Sequence, residues 1–319
     1  MCSISSTVGL AKVSRLQRSS EQRISTASLT VLALIAFAGN SVFGRLALAE
    51  FTIDPASYTG TRLISGTLTL WIIAWFLSNT SSAKSNGGWI SGFMLFLYAI
   101  AFSVAYISLS AGTGALILFA SVQITMIGVG LYGGERPDAL EWFGFSIAVV
   151  GLIYLVSPGI TAPSPFGSAL MTVAGVAWGI YSLRGRGAVD PVRTTSDNFL
   201  RAVPFTLAVL VFWSSRLTVS PIGFLWAVLS GSVTSALGYV VWYAALRGLT
   251  ATRAATVQLA VPVLAALGGA VVLSEAITLR LIISAAVILT GVGLAVARHK
   301  TGTNRGESIL RAAHRSIED

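Results

Sequence analysis

The chain has 319 residues, of which 54% are hydrophobic and only 10% charged, and its mean hydropathy is +0.79. Soluble domains carry about 25% charged residues, so this composition excludes the two soluble domains that the length alone would allow. The net charge of +9 does not indicate nucleic-acid binding, because the basic residues lie between apolar runs and at the termini. Cys2 is the single cysteine, and His299 and His314 lie in the C-terminal tail, which argues against disulfides, metal sites and histidine-based catalysis.

The chain begins with a serine-rich basic segment, 1–27, that we predict to be a cytoplasmic tail. A transit peptide is an open alternative, because Glu21 is the only acidic residue of this segment. The first apolar run, 28–48, is longer than the roughly 7–15 apolar residues of a signal peptide, and no clean small-residue cleavage site follows it. We therefore predict that this run is a retained helix.

Apolar runs of this kind recur to the end of the chain. A bilayer-spanning helix needs about 20 mostly apolar residues, which here predicts ten spans and an all-α integral membrane protein. Turn and helix-start signals such as Asp54-Pro55, Asp190-Pro191 and Pro221 separate the runs. The predicted spans are 28–48, 57–77, 88–108, 112–132, 139–157, 166–183, 198–214, 221–246, 251–273 and 277–297.

The distribution of basic residues predicts the orientation of these spans. With a cytoplasmic N-terminus, sixteen of the 21 lysines and arginines lie in cytoplasmic segments or at the adjoining span ends, and only Arg216 and Arg280 lie in external loops or at the adjoining span ends. The other three, Arg45, Arg62 and Arg201, are counted as lying within spans. Such a bias predicts an even number of spans, with both termini on the cytoplasmic side of the plasma (inner) membrane.

The two halves of the chain resemble each other at an offset of 140 residues. Residues 102–157 align with 242–297 without a gap, and Gly151 meets Gly291. Five spans in each half is an odd number, so the second copy lies inverted in the membrane, as in many secondary transporters with a substrate site between the halves. The predicted organisation is a cytoplasmic tail (1–27), a first five-helix repeat (28–157), an external linker (158–165), a second five-helix repeat (166–297) and a basic cytoplasmic tail (298–319).

Polar and aromatic residues within the spans are the predicted lining of a substrate cavity. Each alone is also compatible with packing between helices. For Arg62 and Arg201 the alternatives are contact with an anionic group and snorkelling to the bilayer surface, since charge inside hydrocarbon is costly. The candidates are Asn40, Ser41, Arg62, Tyr106, Gln123, Trp178, Tyr181, Arg201, Trp242, Tyr243 and Gln258.

Two carboxylates, Glu135 and Glu275, lie 140 residues apart, each between a long helix and the next one. One interpretation is helix capping, because orphan N–H groups and the helix dipole stabilise a carboxylate near a helix N-terminus. The other is gating or proton coupling, with one carboxylate near each membrane face. No motif for phosphate cradling, metal binding or nucleophilic catalysis is present, so we expect no cofactor and no catalytic residues.

Short stretches spread over 28–297 carry a resemblance to a known family. They are Phe37-Ala38-Gly39-Asn40-Ser41-Val42-Phe43, Arg62-Leu63, Gly134-Glu135-Arg136-Pro137, Gly144, Gly151, Ala177-Trp178-Gly179, Val261-Pro262, Ser274-Glu275 and Gly291. With ten spans in two copies, the chain resembles the EamA-type transporters of the drug/metabolite transporter superfamily.

The resemblance implies a ten-helix bundle around a central cavity, with the last helix of each half peripheral, and export or exchange of small metabolites, amino acids or drugs. The chain departs from the pattern where the first half lacks a tryptophan before Gly39, and where Val122 stands opposite Pro262. We therefore expect a specialised first-half cavity wall.

The leading hypothesis is a secondary transporter of small organic solutes that works by alternating access within the lipid bilayer, without nucleic-acid partners. Coupling to protons or to no ion, the direction of transport and the oligomeric state are left open. The alternatives are a channel-like or lipid-scrambling protein, a membrane-embedded enzyme such as a lipid-modifying transferase, and a non-transporting scaffold.

Overall fold

The computed structural model describes residues 4–77, 85, 87–132, 139–157, 162–186, 188–249, 254–255 and 257–297, with side chains from residue 26 onwards except those of 77, 131, 141, 145, 156, 292 and 295–297. The regular structure in this part of the chain is helical, apart from one isolated β-bridge between Ile53 and Val219. The α-helices are α1 Ile4–Leu48, α2 Pro55–Leu77, α3 Trp89–Ala105, α4 Ala111–Tyr132, α5 Ala139–Val156, α6 Pro165–Gly185, α7 Pro191–Phe212, α8 Pro221–Leu229, α9 Gly238–Leu246, α10 Ala260–Leu273 and α11 Leu279–Ala297. A π-helix, Ser230–Leu237, joins α8 to α9, and a 3₁₀ turn follows α7.

Several helices begin at a capping residue followed by proline. Asp54 Oδ1 accepts hydrogen bonds from the backbone N–H groups of Ala56 and Ser57, at the start of α2. Proline suits the first helical position, because its fixed φ is helical and its missing N–H would be unpaired there anyway. Asp190 caps α7, Ser164 caps α6 and Ser220 caps α8 in the same way.

One helix begins well before its predicted span. Helix α7 begins at Pro191, where Asp190 caps it, rather than at 198. The predicted start of the ninth span at 251 lies outside the described residues, whereas residues 254–255 and 257 are helical and α10 extends from Ala260 to Leu273. Pro262 lies in the first turn of α10, where its missing N–H is tolerated.

The packing of the helices places residues from both ends of the chain side by side. Helix α2 packs against α7, α3 against α6, and α1 against α8, the π-helix and α9, while α4 contacts both α6 and α10. Helices α5 and α11 pair closely: a Cβ at Gly291 would lie 2.5 Å from the Gly144 carbonyl oxygen. Small residues at such positions let helix backbones approach each other.

The surface of this bundle is apolar and its interior carries polar groups. Large side chains such as Trp71, Phe212 and Val271 are exposed, whereas Asn40 and Arg62 are buried. This distribution suits a lipid environment, in which polar groups must be satisfied inside the protein. By length and composition, the described helices that could cross a membrane are Thr26–Leu48, Ala111–Gly130, Pro165–Gly185 and Pro221–Leu246, and shorter apolar helices are Trp89–Ala105, Trp142–Leu155, Ala260–Leu273 and Leu279–Gly291.

Two loops meet at one end of the bundle. The loop before α2 and the loop before α8 exchange backbone hydrogen bonds, from Asp54 N to Thr218 O (2.9 Å) and from Ser220 N to Thr52 O (2.8 Å). The second carboxylate oxygen of Asp54 accepts from Thr218 N at 2.8 Å. Asp54 therefore starts α2 and also ties it to the beginning of α8.

Candidate substrate site

The guanidinium of Arg62 lies inside the bundle and bridges three segments. Arg62, on α2, is 1% exposed. Its Nε donates to Ser235 Oγ in the π-helix at 2.9 Å, and its Nη2 donates to Tyr239 Oη at 2.6 Å and to Tyr98 Oη at 3.1 Å. The guanidinium also lies over the rings of Tyr98 and Phe102, 5.0 and 4.9 Å from their centroids, where a cation is attracted to the aromatic faces.

Asn40 on α1 extends this polar cluster. Its Nδ2 donates to Tyr98 Oη at 2.9 Å, so one tyrosine hydroxyl joins Asn40 to Arg62. Its Oδ1 accepts from Ser230 Oγ at 2.6 Å and from Thr234 Oγ1 at 3.3 Å. The amide is thus oriented by groups on both sides, and the cluster connects α1, α2 and α3 to the π-helix.

The π-helix explains why these hydroxyls reach the cluster. Its wider turns direct Ser230, Thr234 and Ser235 toward α1 and α2, and π-turns inside α-helices are frequent at functional sites. Gly231 allows the close approach, because a Cβ there would lie 2.2 Å from the Arg62 carbonyl oxygen and 2.1 Å from Ser65 Oγ.

Aromatic rings form the wall next to the polar cluster. The Trp178 ring on α6 lies 4.6 Å from that of Tyr239, 5.1 Å from that of Tyr98 and 5.3 Å from that of Phe37, measured between centroids. Trp178 Nε1 donates to Gln258 Oε1 at 3.0 Å, which connects the aromatic wall to the segment before α10. Aromatic faces beside a guanidinium and hydroxyl groups can hold a small organic molecule with a polar head.

Other predicted site residues surround this wall. Tyr181 stacks on Trp178, Tyr243 donates to the Tyr181 carbonyl at 3.2 Å, and Trp242 packs edge-on against Phe37. The structure therefore brings together seven of the predicted residues around one aromatic and polar centre: Asn40, Arg62, Trp178, Tyr181, Trp242, Tyr243 and Gln258.

The remaining candidates lie away from the centre or contact it less directly. Ser41 is buried beside Asn40 on α1, and Tyr106 follows α3 and donates to the Ala111 carbonyl at 3.3 Å. Gln123 on α4 donates to the Ala255 carbonyl. Arg201 does not share the environment of Arg62: its side chain is 29% exposed and binds Asp197 on its own helix.

Glu275 forms a junction at the same end of the bundle as the Asp54 contacts. Its Oε1 accepts from Arg45 Nε at 2.7 Å, and its Oε2 accepts from the backbone N–H of Ala111 at 2.8 Å. Arg45 donates in addition to the Tyr106 carbonyl at 2.9 Å, near the end of α3. Glu275 thus caps the N-terminus of α4 rather than its own following helix, and ties it to α1. Glu135 lies outside the described residues.

Several residues of the site were not among the candidates taken from the sequence. Tyr98 binds both Asn40 and Arg62 at the centre, and Arg45 binds Glu275 at the junction. Hydroxyl groups concentrated at 230–235 within an otherwise apolar span are a detectable signal for the π-helix contribution. The partnership of Arg45 with Glu275 has no such signal, because the two residues are 230 positions apart.

Within the described residues, no group of three or more His, Cys, Asp or Glu side chains is placed to hold a metal ion. The groups present at the centre are a guanidinium, hydroxyls, amides and aromatic faces. Their chemistry is noncovalent binding by hydrogen bonds, charge and stacking.

A helical bundle with an apolar surface and a polar aromatic centre defines a multi-pass membrane protein. Residues 165–297 match the model of the EamA-like transporter family. The chain is 46% identical over 272 residues to the uncharacterized protein PA1977 of Pseudomonas aeruginosa, covering 85% of this chain and 94% of that protein. The chain belongs to the EamA-like transporter family.

More distant relatives agree with this assignment. An uncharacterized transporter of Archaeoglobus fulgidus is 25% identical over 285 residues, covering 85% of this chain and 96% of the relative. The uncharacterized transporter YoaV of Bacillus subtilis is 22% identical over 257 residues, covering 75% of this chain and 86% of its own. A crystal structure of a protein 18% identical to this chain has a TM-score of 0.61 over 83% of this chain and 98% of its own, which shows a shared fold.

Proposed function

We propose that this protein is a secondary transporter of small organic solutes in a bacterial inner membrane, working by alternating access around the centre formed by Arg62, Asn40 and Trp178. The observation that carries this proposal is the composition of that centre. Hydrogen-bonding groups from α1, α2 and α3 meet groups from α6, the π-helix and α9, so both halves of the chain contribute to one site. A site between two halves is what alternating access requires.

The proposed architecture has ten transmembrane helices, α8, the π-helix and α9 together forming one, arranged as two inverted five-helix repeats with both termini cytoplasmic. The helix contacts support it. The contact of α3 with α6 has its counterpart in the contact of α1 with the α8–α9 span, and α2 with α7, α4 with α10 and α5 with α11 are pairs of counterparts. A two-fold relation between the halves produces such a pattern.

Both ends of the bundle carry contacts that would have to break for a solute to enter. At the proposed external end these are the Arg45–Glu275 pair and the backbone bonds around Asp54. At the proposed cytoplasmic end, Arg184 Nε donates to Ser91 Oγ at 2.9 Å and Gly88 N donates to Asn198 Oδ1 at 3.2 Å. These contacts support the proposal of an occluded state in which Glu275 forms part of the external gate.

Transport by purified protein in proteoliposomes tests this function. Vesicles are loaded with a panel of amino acids, organic acids, amines, nucleosides and sugars, and uptake of each labelled solute is compared with that of protein-free vesicles, with and without a pH gradient. Unlabelled solute inside should accelerate uptake of the same labelled solute, because a carrier exchanges its substrate whereas a channel does not. Uptake equal to that of protein-free vesicles for every solute would refute the proposal.

The topology has its own test, which uses the single cysteine. A membrane-impermeant maleimide should label Cys2 in inverted membrane vesicles and leave it unlabelled in intact cells. A cysteine added after Asp319 in a Cys2→Ser background should behave identically. Opposite labelling of the two termini would require an odd number of spans and would contradict the inverted repeat.

A further inference from the structure

The charge of Arg62 lacks an acidic partner in the part of the protein that the structure describes. The salt bridges there join Arg45 to Glu275, Arg193 to Asp190 and Arg201 to Asp197. The hydrogen bonds and ring contacts of the Arg62 guanidinium with the described residues go to hydroxyl oxygens and aromatic faces. A buried cation held by neutral groups alone is costly, because hydroxyls replace only part of the solvation that water or a carboxylate provides.

One edge of the guanidinium is also unsatisfied. Arg62 Nη1 is buried and has no hydrogen-bond partner among the described residues, which leaves both of its N–H donors free. Tyr98 Oη already accepts hydrogen bonds from Asn40 and Arg62, so its O–H remains available only as a donor. The hydroxyl of Tyr58, one turn before Arg62 on α2, is buried and likewise has no hydrogen-bond partner in the described part of the chain. The centre therefore presents an excess of donors together with a net positive charge.

We propose, on the basis of the transport function above, that the substrate is a small organic carboxylate with an apolar, preferably aromatic, body. Its carboxylate binds Arg62 Nη1 and the neighbouring tyrosine hydroxyls, because oxyanions satisfy several donors and neutralise the guanidinium at once. Its body packs against Trp178, Phe37 and Tyr239.

The centre also disfavours zwitterionic amino acids. Among the described residues, Asp54 and Asp190 cap helices, Asp197 pairs with Arg201 on its own helix, and Glu275 pairs with Arg45. A substrate ammonium would thus enter beside Arg62 without an opposing carboxylate from the described part of the chain, and two like charges at close range repel each other strongly where the dielectric constant is low. The binding preference expected from the structure is a monoanion over a zwitterion, and either over a neutral amide.

Thermal unfolding of the purified protein in detergent tests this class with three compounds that share one body. These are 3-phenylpropanoate, phenylalanine, which adds an ammonium group, and 3-phenylpropanamide, which lacks the charge. At ~100 times its dissociation constant, 3-phenylpropanoate is expected to raise the unfolding midpoint by about 5 °C, because it binds the folded state alone. Phenylalanine and the amide are expected to raise it by less at the same concentration.

Substitutions of two arginines test whether the stabilisation by 3-phenylpropanoate depends on Arg62. Arg62→Gln should weaken binding of 3-phenylpropanoate by about 30-fold and so remove most of the shift, because charged hydrogen bonds are lost. Arg62→Lys keeps the charge without the planar fork and should retain part of the shift. Arg201→Gln is the matched control, since it removes an arginine that binds its own helix, and should leave the shift unchanged.

Several results would overturn the proposal. Equal stabilisation by the amide or by phenylalanine, or an undiminished midpoint shift in Arg62→Gln, would show that the site does not recognise a carboxylate through Arg62. If Arg62→Gln does not fold, the comparison of the three compounds on the unchanged protein still tests whether a carboxylate is preferred. If none of the three compounds shifts the unfolding midpoint while proteoliposomes transport neutral or cationic solutes, the proposed substrate class is refuted but the proposed transport function is not. Vesicles that carry nothing would refute the transport function itself.

Discussion

The junction around Glu275 allows a quantitative prediction, because one carboxylate joins three helices. Oε1 accepts from Arg45 at 2.7 Å and Oε2 accepts from Ala111 N at 2.8 Å, and the side chains of Glu275 and Arg45 are 15% and 21% exposed. In Glu275→Gln, the new amide N–H₂ faces either the guanidinium or the Ala111 N–H, so one of these two bonds becomes a contact between donors. A charged hydrogen bond contributes about 1.5–3 kcal/mol, and partial exposure places this loss near the middle, at about 2 kcal/mol.

Thermal unfolding in detergent should show this loss as a midpoint lowered by about 4 °C, since a chain of this size shifts by roughly 2 °C per kcal/mol. Glu50→Gln is the control, because it removes an equal charge from an exposed position just after α1. Arg45→Gln combined with Glu275→Gln should cost about 1 kcal/mol less than the sum of the single changes, as expected for partners in contact. A midpoint for Glu275→Gln within 1 °C of the unchanged protein, or strictly additive effects, would refute the proposed junction.

Two further predictions concern close packing and loop contact. Gly231→Val should destabilise the protein by about 3 kcal/mol, because its Cβ would overlap the Arg62 carbonyl and Ser65, whereas Gly293→Ala, with open space around it, should change stability by less than about 1 kcal/mol. Unfolding midpoints of the two variants check this, and equal midpoints would contradict the packing. Asp54→Ala should lower the free energy of unfolding by about 2 kcal/mol, because Asp54 binds Thr218 in addition to capping its helix. Ser164→Ala, which removes a helix cap alone, should lower it by ~1 kcal/mol. Chemical unfolding measures both losses, and equal losses would show that the loop contact contributes nothing.

Local chemistry made many of these features predictable from the sequence. The Asp-Pro and Ser-Pro pairs before α2, α7 and α8 predict helix starts, because capping and proline geometry act over three or four residues. Burial of Asn40, Arg62 and Trp178 together follows from polar residues at the middle of apolar spans. Family membership was predicted from short stretches and is confirmed by the EamA-like match.

Long-range partnerships were not predictable in this way. Arg62 and Arg201 occupy similar places in the two sequence halves, yet one is buried among tyrosines and the other binds its own helix at the surface. The difference arises because Tyr98 and Tyr239 reach Arg62 from other helices. The π-helix was not predicted either; within it, Gly231 packs against α2 so closely that a Cβ would lie 2.2 Å from the Arg62 carbonyl oxygen, which is a long-range contact.

Helix α1 connects the central site with the Glu275 junction, and so links the proposed site to the proposed gate. Phe37 and Asn40 touch the centre, and Arg45, five residues after Asn40 or about 7.5 Å along the axis, binds Glu275. Between them, Gly44 lies so close to Phe102 that a Cβ would be 2.9 Å from its ring, so the helix has little room to slide at this point. Under the proposed alternating access, a tilt of α1 would change the distance from Arg45 to Glu275. The proposed gate and the proposed site thus lie on the same helix, and we expect substitutions at Gly44 to alter exchange rates in proteoliposomes.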